Sequence, residues 1–172
     1  DAQGLPVSGE AVGEIVVRGP DVFAGYWREP DLSRQAFDAE GWLHTGDLAR
    51  VDEEGFIYIV DRSKDMIISG GFNIYPTEVE QALYSHPAVY EACVVGVPDD
   101  TWGEAVKAVV VLRPEHQASE ADIVRHCRAL LADFKKPRSV DFVADLPRNP
   151  NGKLSRKAVR EPFWAGRERL VG

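Results

Sequence analysis

The chain has 172 residues, enough for one ordinary domain or for one small domain with a piece of another. Its net charge of −8 excludes a nucleic-acid scaffold, whose affinity comes mostly from Lys and Arg on phosphates. Apolar residues at 44% against charged residues at 28% exclude a disordered chain, and no stretch approaches the roughly 20 apolar residues of a membrane span.

The first residues, Asp1-Ala2-Gln3-Gly4, carry no secretory signal pattern and lead almost at once into strand-like sequence. A fragment of a longer protein is the expectation. Ile15-Val16-Val17 predicts a strand, broken by Gly19-Pro20. Pro30 with residues 31–37 predicts a short helix, with Asp31 as its candidate cap. Residues 42–51 read as extended. The turn residues Asp52-Glu53-Glu54-Gly55 join them to the β-branched and aromatic run Phe56-Ile57-Tyr58-Ile59-Val60, so the pair predicts a hairpin. Asp61-Arg62-Ser63-Lys64-Asp65 is a charged break between apolar blocks and the expected domain boundary; on its own such a run reads as a solvated linker.

Beyond it, Met66-Ile67-Ile68 and Phe72-Asn73-Ile74 flank the tight turn Ser69-Gly70-Gly71. Pro76-Thr77 opens a helix whose inner face is Val79, Ala82 and Leu83, stopped by His86-Pro87. Residues 89–97 and 105–112 predict two strands. Ser119 and Asp122 form a capping box, and Ile123, Cys127, Leu130 and Leu131 follow at helical spacing until Phe134-Lys135-Lys136-Pro137. A short strand over 140–143, a turn-rich loop over 145–153 and a terminal helix from Arg156 complete the pattern. Cys93 and Cys127 both fall in apolar segments and read as reduced core thiols of a cytoplasmic protein. The fold class expected is α+β: a short mixed sheet flanked by helices, preceded by a β-rich stub.

Four segments carry candidate chemistry. In His44-Thr45-Gly46-Asp47-Leu48 a carboxylate beside a glycine can accept hydrogen bonds from sugar hydroxyls; alone, it is equally a turn Asp bonded to nearby amides. The charged break at 61–65 is the second. The third is Ser69-Gly70-Gly71 with Phe72-Asn73-Ile74-Tyr75-Pro76, where two glycines let a ligand approach the backbone. The fourth is Pro147-Arg148-Asn149-Pro150-Asn151-Gly152-Lys153, a lysine on a glycine loop able to reach developing negative charge. Gly152-Lys153 is not a phosphate loop of the NTPase kind, because the spaced upstream glycine is missing and Leu154 replaces Ser or Thr.

In order and spacing these segments resemble the C-terminal end of AMP-forming adenylating enzymes, which include acyl-CoA synthetases, peptide-synthetase adenylation domains and beetle luciferases. The resemblance covers nearly the whole chain, with Gly13-Glu14-Ile15 and Gly25-Tyr26-Trp27 similar to the last part of that family's large domain. It implies that residues 1–61 end a large N-terminal domain, that 62–65 are a hinge and that 66–172 form a mobile lid domain. It further implies that Asp47 and Arg62 bind the nucleotide, that Lys64 is the hinge residue and that Lys153 is catalytic. Ser69, Gly70, Gly71, Trp102, Phe134 and Lys136 would meet CoA, although Trp102 and Phe134 are also residues that simply pack. The activity implied is an acid–CoA ligase using Mg-ATP and CoA, with no metal site inside the fragment and with its own large domain as partner. The fragment alone is expected to be inactive. The alternatives are the lid of a peptide-synthetase-type domain and a stand-alone docking module.

Overall fold

A computed structural model of the chain describes residues 1, 3–9, 11–167 and 169. Ala2 of the opening tetrapeptide and residue 172, the far bound of the expected lid domain, lie outside them. The chain divides into two compact units, Asp1–Ser63 and Lys64–Gly172.

In the first unit, β1 (Gly13–Val17), β2 (Leu43–Val51) and β3 (Ile57–Arg62) form an antiparallel sheet in that order. The β2–β3 hairpin closes as its turn chemistry predicts: Asp52 Oδ1 accepts from the Phe56 N–H at 2.8 Å. The helix α1 (Pro30–Ala36) starts two residues earlier than a cap at Asp31 requires. Glu29 holds the N-cap position without a side-chain bond, and Asp31 instead pairs with Arg34 one turn on. Proline supplies the reason for that start, since Pro30 has φ preset for the first helical position and its missing N–H is a group the helix leaves unpaired there anyway.

The second unit is a five-stranded mixed sheet. The strands β4 (Ile67–Ser69), β5 (Phe72–Ile74), β6 (Val89–Asp99), β7 (Gly103–Leu112) and β8 (Ser139–Phe142) run β5-β4-β7-β6, with β8 parallel to β7. The expected α+β class is therefore observed. Alternate residues of the long β6–β7 pair enter two cores. Val94, Val106, Ala108 and Val110 meet α2 (Pro76–Tyr84) and α3 (Glu120–Leu130), packing with Val79, Leu83, Ile123 and Cys127. Cys93, Val95, Val109 and Val111 meet Leu146 and Val159 on the other face. A sheet covered on both faces explains the unbroken apolar run Cys93-Val94-Val95.

The capping box is complete: Ser119 Oγ accepts from the Asp122 N–H, and the Asp122 carboxylate accepts from the Ser119 N–H at 3.1 Å. The helix it starts is shorter than expected. It stops at Leu130, which is exposed, while Leu131 turns inward as its C-cap. The next helix, α4 (Arg156–Arg160), begins at Ser155, whose hydroxyl accepts from the Ala158 N–H at 3.3 Å.

Two titratable features have direct consequences. Burial pushes the Cys93 thiol up to about 12 and the Cys127 thiol up to about 11, and the two lie on opposite faces of the sheet, so they cannot pair. The folded chain at pH 8 is expected not to react with Ellman's reagent, and to react at both thiols in denaturant. His86 sits edge-on to His126 with ring centroids 5.0 Å apart. Burial first, and the His126 charge second, lower its pKa below the ordinary value of about 6.5. A depressed histidine adds stability above its unfolded pKa and loses it as pH falls through the folded value. The melting temperature should therefore drop on acidification below about pH 6.5, less steeply in His86→Asn, whose amide oxygen can still accept the Ala88 N–H.

Candidate functional site

Three groups of residues correspond to the candidate chemistry. In the first unit the site is built on β2. Thr45 Oγ1 donates to the Ile15 carbonyl at 2.7 Å and accepts from the Asp47 N–H at 3.1 Å. Glu14 of β1 takes the Gly46 N–H on one carboxylate oxygen at 2.9 Å and His44 Nδ1 on the other at 2.7 Å. Asp47 then stands opposite Arg62, with Nε–Oδ1 at 3.1 Å.

That pairing depends on a β-bulge. The register Ala49↔Ile59, continued regularly, would set Asp47 against Asp61. One extra residue in β3 between Ile59 and Asp61 sets it against Arg62 instead. The bulge replaces a like-charge cross-strand pair by an ion pair. Among the described residues, Asp47 engages the Arg62 guanidinium through Nε alone. Asp61 is only 6% exposed and Asp65 9%, so the charged break is not a solvated linker.

In the second unit, Gly70 and Gly71 have φ of 59° and 84°, the two positive values of a two-residue hairpin turn. A Cβ on Gly70 would also collide with the Trp102 indole. The Gly70 N–H donates to the Trp102 carbonyl at 2.9 Å, so the glycine loop and Trp102 are one assembly. Phe72 stacks on Phe134 with centroids 4.5 Å apart, and the Arg138 guanidinium lies 5.0 Å over the Trp102 ring. The structure thus ties Ser69, Gly70 and Gly71 to Trp102 through the loop and to Phe134 through Phe72. Lys136 is turned back onto Asp133, its Nζ 2.8 Å from the carboxylate and 2.9 Å from the carbonyl.

Lys64 is exposed, and its carbonyl accepts from Arg160 Nη1 at 3.1 Å and Arg169 Nη1 at 2.7 Å. These arginines belong to a buried cluster in which Asp65, Glu80 and Glu104 face Arg156, Arg160 and Arg169. Lys153 is exposed, and among the described residues no ion pair or hydrogen bond engages its ammonium. Its loop is a closed turn. The Asn149 N–H donates to the Lys153 carbonyl and the Gly152 N–H to the Asn149 carbonyl, both at 2.8 Å. Glu14 and Phe72 lay inside quoted motifs but were given no role of their own, and Arg138 was not singled out, because each acts through a partner distant in the chain. Among the described residues no group of three or more His, Cys, Asp or Glu could hold a metal ion, and no helix is long and apolar enough to cross a membrane.

Residues 78–153 match the family described as AMP-binding enzyme C-terminal domain. The chain is 50% identical to the medium/long-chain-fatty-acid–CoA ligase FadD8 of Mycobacterium tuberculosis, over 100% of this chain and 31% of that protein. It is 47% identical to the 2-succinylbenzoate–CoA ligase of Bacillus mycoides, over 94% of this chain and 33% of that one. The ATP-bound crystal structure of MatB from Rhodopseudomonas palustris superposes with a TM-score of 0.85 at 42% identity, covering 91% of this chain and 31% of that one. The chain thus spans about a third of the length of the curated relatives it matches. It belongs to the AMP-forming adenylating enzyme superfamily, in the stretch that includes the C-terminal domain.

Proposed function

We propose that this chain is the C-terminal part of an AMP-forming acid–CoA ligase, with residues 1–61 completing the large domain, 62–65 the hinge and 66–172 the lid. The observation that carries this reading is 50% identity over the whole chain to a fatty-acid–CoA ligase. In the first step a carboxylate oxygen attacks the α-phosphorus of Mg-ATP, the α–β bridging bond breaks and pyrophosphate leaves. Asp47 accepts the ribose hydroxyls, Arg62 adds a second contact, and the Lys153 ammonium neutralises charge on the α-phosphate and the attacking carboxylate. In the second step the CoA thiol attacks the acyl carbonyl, AMP leaves with the bonding pair, and the thiol proton passes to solvent. Ser69, Gly70 and Gly71 leave room for the pantetheine arm; Trp102 and Phe134 offer faces to the nucleotide. Lys136 reaches a phosphate by exchanging its bond to Asp133. Lys64, exposed and polar, takes up the torsion between the two steps. The ligands are ATP and CoA as substrates, the partner is the chain's own large domain, and the unpaired buried thiols support a cytoplasmic setting.

The test uses the full-length polypeptide with ATP, CoA and decanoate, palmitate or 2-succinylbenzoate, following AMP release and thioester by mass. A thioester with equimolar AMP is expected from at least one acid, and ADP release or no CoA dependence would overturn the reading. The isolated 172 residues should show no ATP–pyrophosphate exchange, because the acid pocket and phosphate loop lie outside them.

A further inference from the structure

The peptide plane that leads into Lys153 is held from both ends. Its carbonyl, on Gly152, accepts from Arg148 Nη1 at 3.2 Å, and its N–H, on Lys153, donates to Asn151 Oδ1 at 3.2 Å. The plane that leaves Lys153 is held by the Asn149 N–H on the Lys153 carbonyl. With both flanking planes fixed, so are the Lys153 Cα and the direction of its Cα–Cβ bond. The turn's base is secured separately: Arg148 and Leu154 form a β-bridge, the Ser155 N–H donates to the Pro147 carbonyl at 2.8 Å, and Leu146 is fully buried.

Arg148 is the one side chain in this set that reaches out of the turn. Its second guanidinium nitrogen, Nη2, pairs with Glu91 of β6, 57 residues earlier in the chain. Glu91 lies on β6 of the long β6–β7 pair, in register with Val111. One guanidinium therefore bridges the rigid sheet and the carbonyl beside Lys153. The guanidinium does both through two separate nitrogens, Nη1 and Nη2, in a fixed fork that the single nitrogen of a lysine does not reproduce.

We propose that Arg148 and Glu91 are positioning residues for Lys153, a strap that aims its ammonium for the adenylation step. This rests on the function proposed above. The pair is too exposed to matter much for stability, since such surface pairs contribute little. Its effect lies in geometry, where a displacement of about 1 Å can cost up to about a hundredfold in rate.

The full-length protein and its Lys153→Ala, Arg148→Ala, Arg148→Lys and Glu91→Ala variants are compared in ATP–pyrophosphate exchange, with the acid of the panel turned over fastest. The thioester step is followed separately from synthetic acyl-adenylate and CoA. Arg148→Ala should slow exchange roughly tenfold or more, mostly in kcat, and leave the thioester step within about twofold. Glu91→Ala and Arg148→Lys should lie between it and wild type. The double variant Glu91→Arg/Arg148→Glu rebuilds the ion pair but leaves nothing to donate to the Gly152 carbonyl. It should keep a melting temperature close to wild type and not regain the exchange rate. Full recovery of exchange in the double variant, or an equal fall in both steps for Arg148→Ala, would overturn the strap. So would wild-type exchange in Arg148→Ala while Lys153→Ala is inactive. Exchange that survives Lys153→Ala instead overturns the proposed function, and the strap with it.

Discussion

Lys153→Ala in the full-length protein is expected to cut acyl-adenylate formation by about a thousandfold, the scale of removing one preorganised charge from a developing oxyanion. The thioester step, started from acyl-adenylate, should persist. Two features of the chain support so large and selective an effect. The ammonium has no protein partner among the described residues, so no internal ion pair has to be broken before it meets a phosphate. Its backbone is also fixed on both sides, so little ordering remains to be done when substrate arrives. Pyrophosphate exchange and acyl-adenylate trapping measure the first step, and thioester release the second. A comparable loss in both would mean that the substitution disturbs the fold rather than the chemistry.

The second large effect concerns stability. Arg169 lies with its side chain 10% exposed against Glu104 at 7%, and its Nε meets Oε1 at 2.5 Å. The same guanidinium donates to the carbonyls of Lys64 and Met66, while Glu104 Oε2 accepts from the Ile68 N–H at 3.2 Å. Glu104→Ala strands a buried guanidinium and a backbone N–H together. Breaking a buried pair from one side costs about 3–5 kcal/mol. Urea unfolding of the 172-residue chain, followed by circular dichroism, should show that loss, and a change below about 1 kcal/mol would contradict the buried pairing. Gly96 belongs to the same device, since a Cβ there would overlap the Glu104 carboxylate. Gly96→Ala should destabilise in the same direction.

Much of the fold was legible because its signals are local. The period of Val79, Ala82 and Leu83, the turn chemistry around Asp52 and the Ser119–Asp122 box each act within a few residues, and all appear in the structure. The expected end of α3 at 134–137 misled because helical spacing says nothing of where a helix stops: α3 ends at Leu130, and Leu131 is already its extended C-cap. The run at 61–65 misled for a different reason. Its composition is that of a linker, yet Asp65 is matched by arginines 91 and 95 residues further on, which no window along the chain can show.

The candidate site divides in the same way. Asp47, Arg62, Lys64 and Lys153 were found from motif order along the chain, and the sequence by itself determined that these residue types occur together in that order. Tertiary structure alone decided what each one faces. A one-residue bulge chooses Arg62 over Asp61 as the partner of Asp47; Glu14, 32 residues before Gly46, shapes the turn beside it; Glu91 reaches Arg148 across 57 residues. Propensities and motifs are properties of neighbours in sequence. Pairings across a sheet depend on register and on which face a strand presents, and those are settled only when distant segments pack against one another.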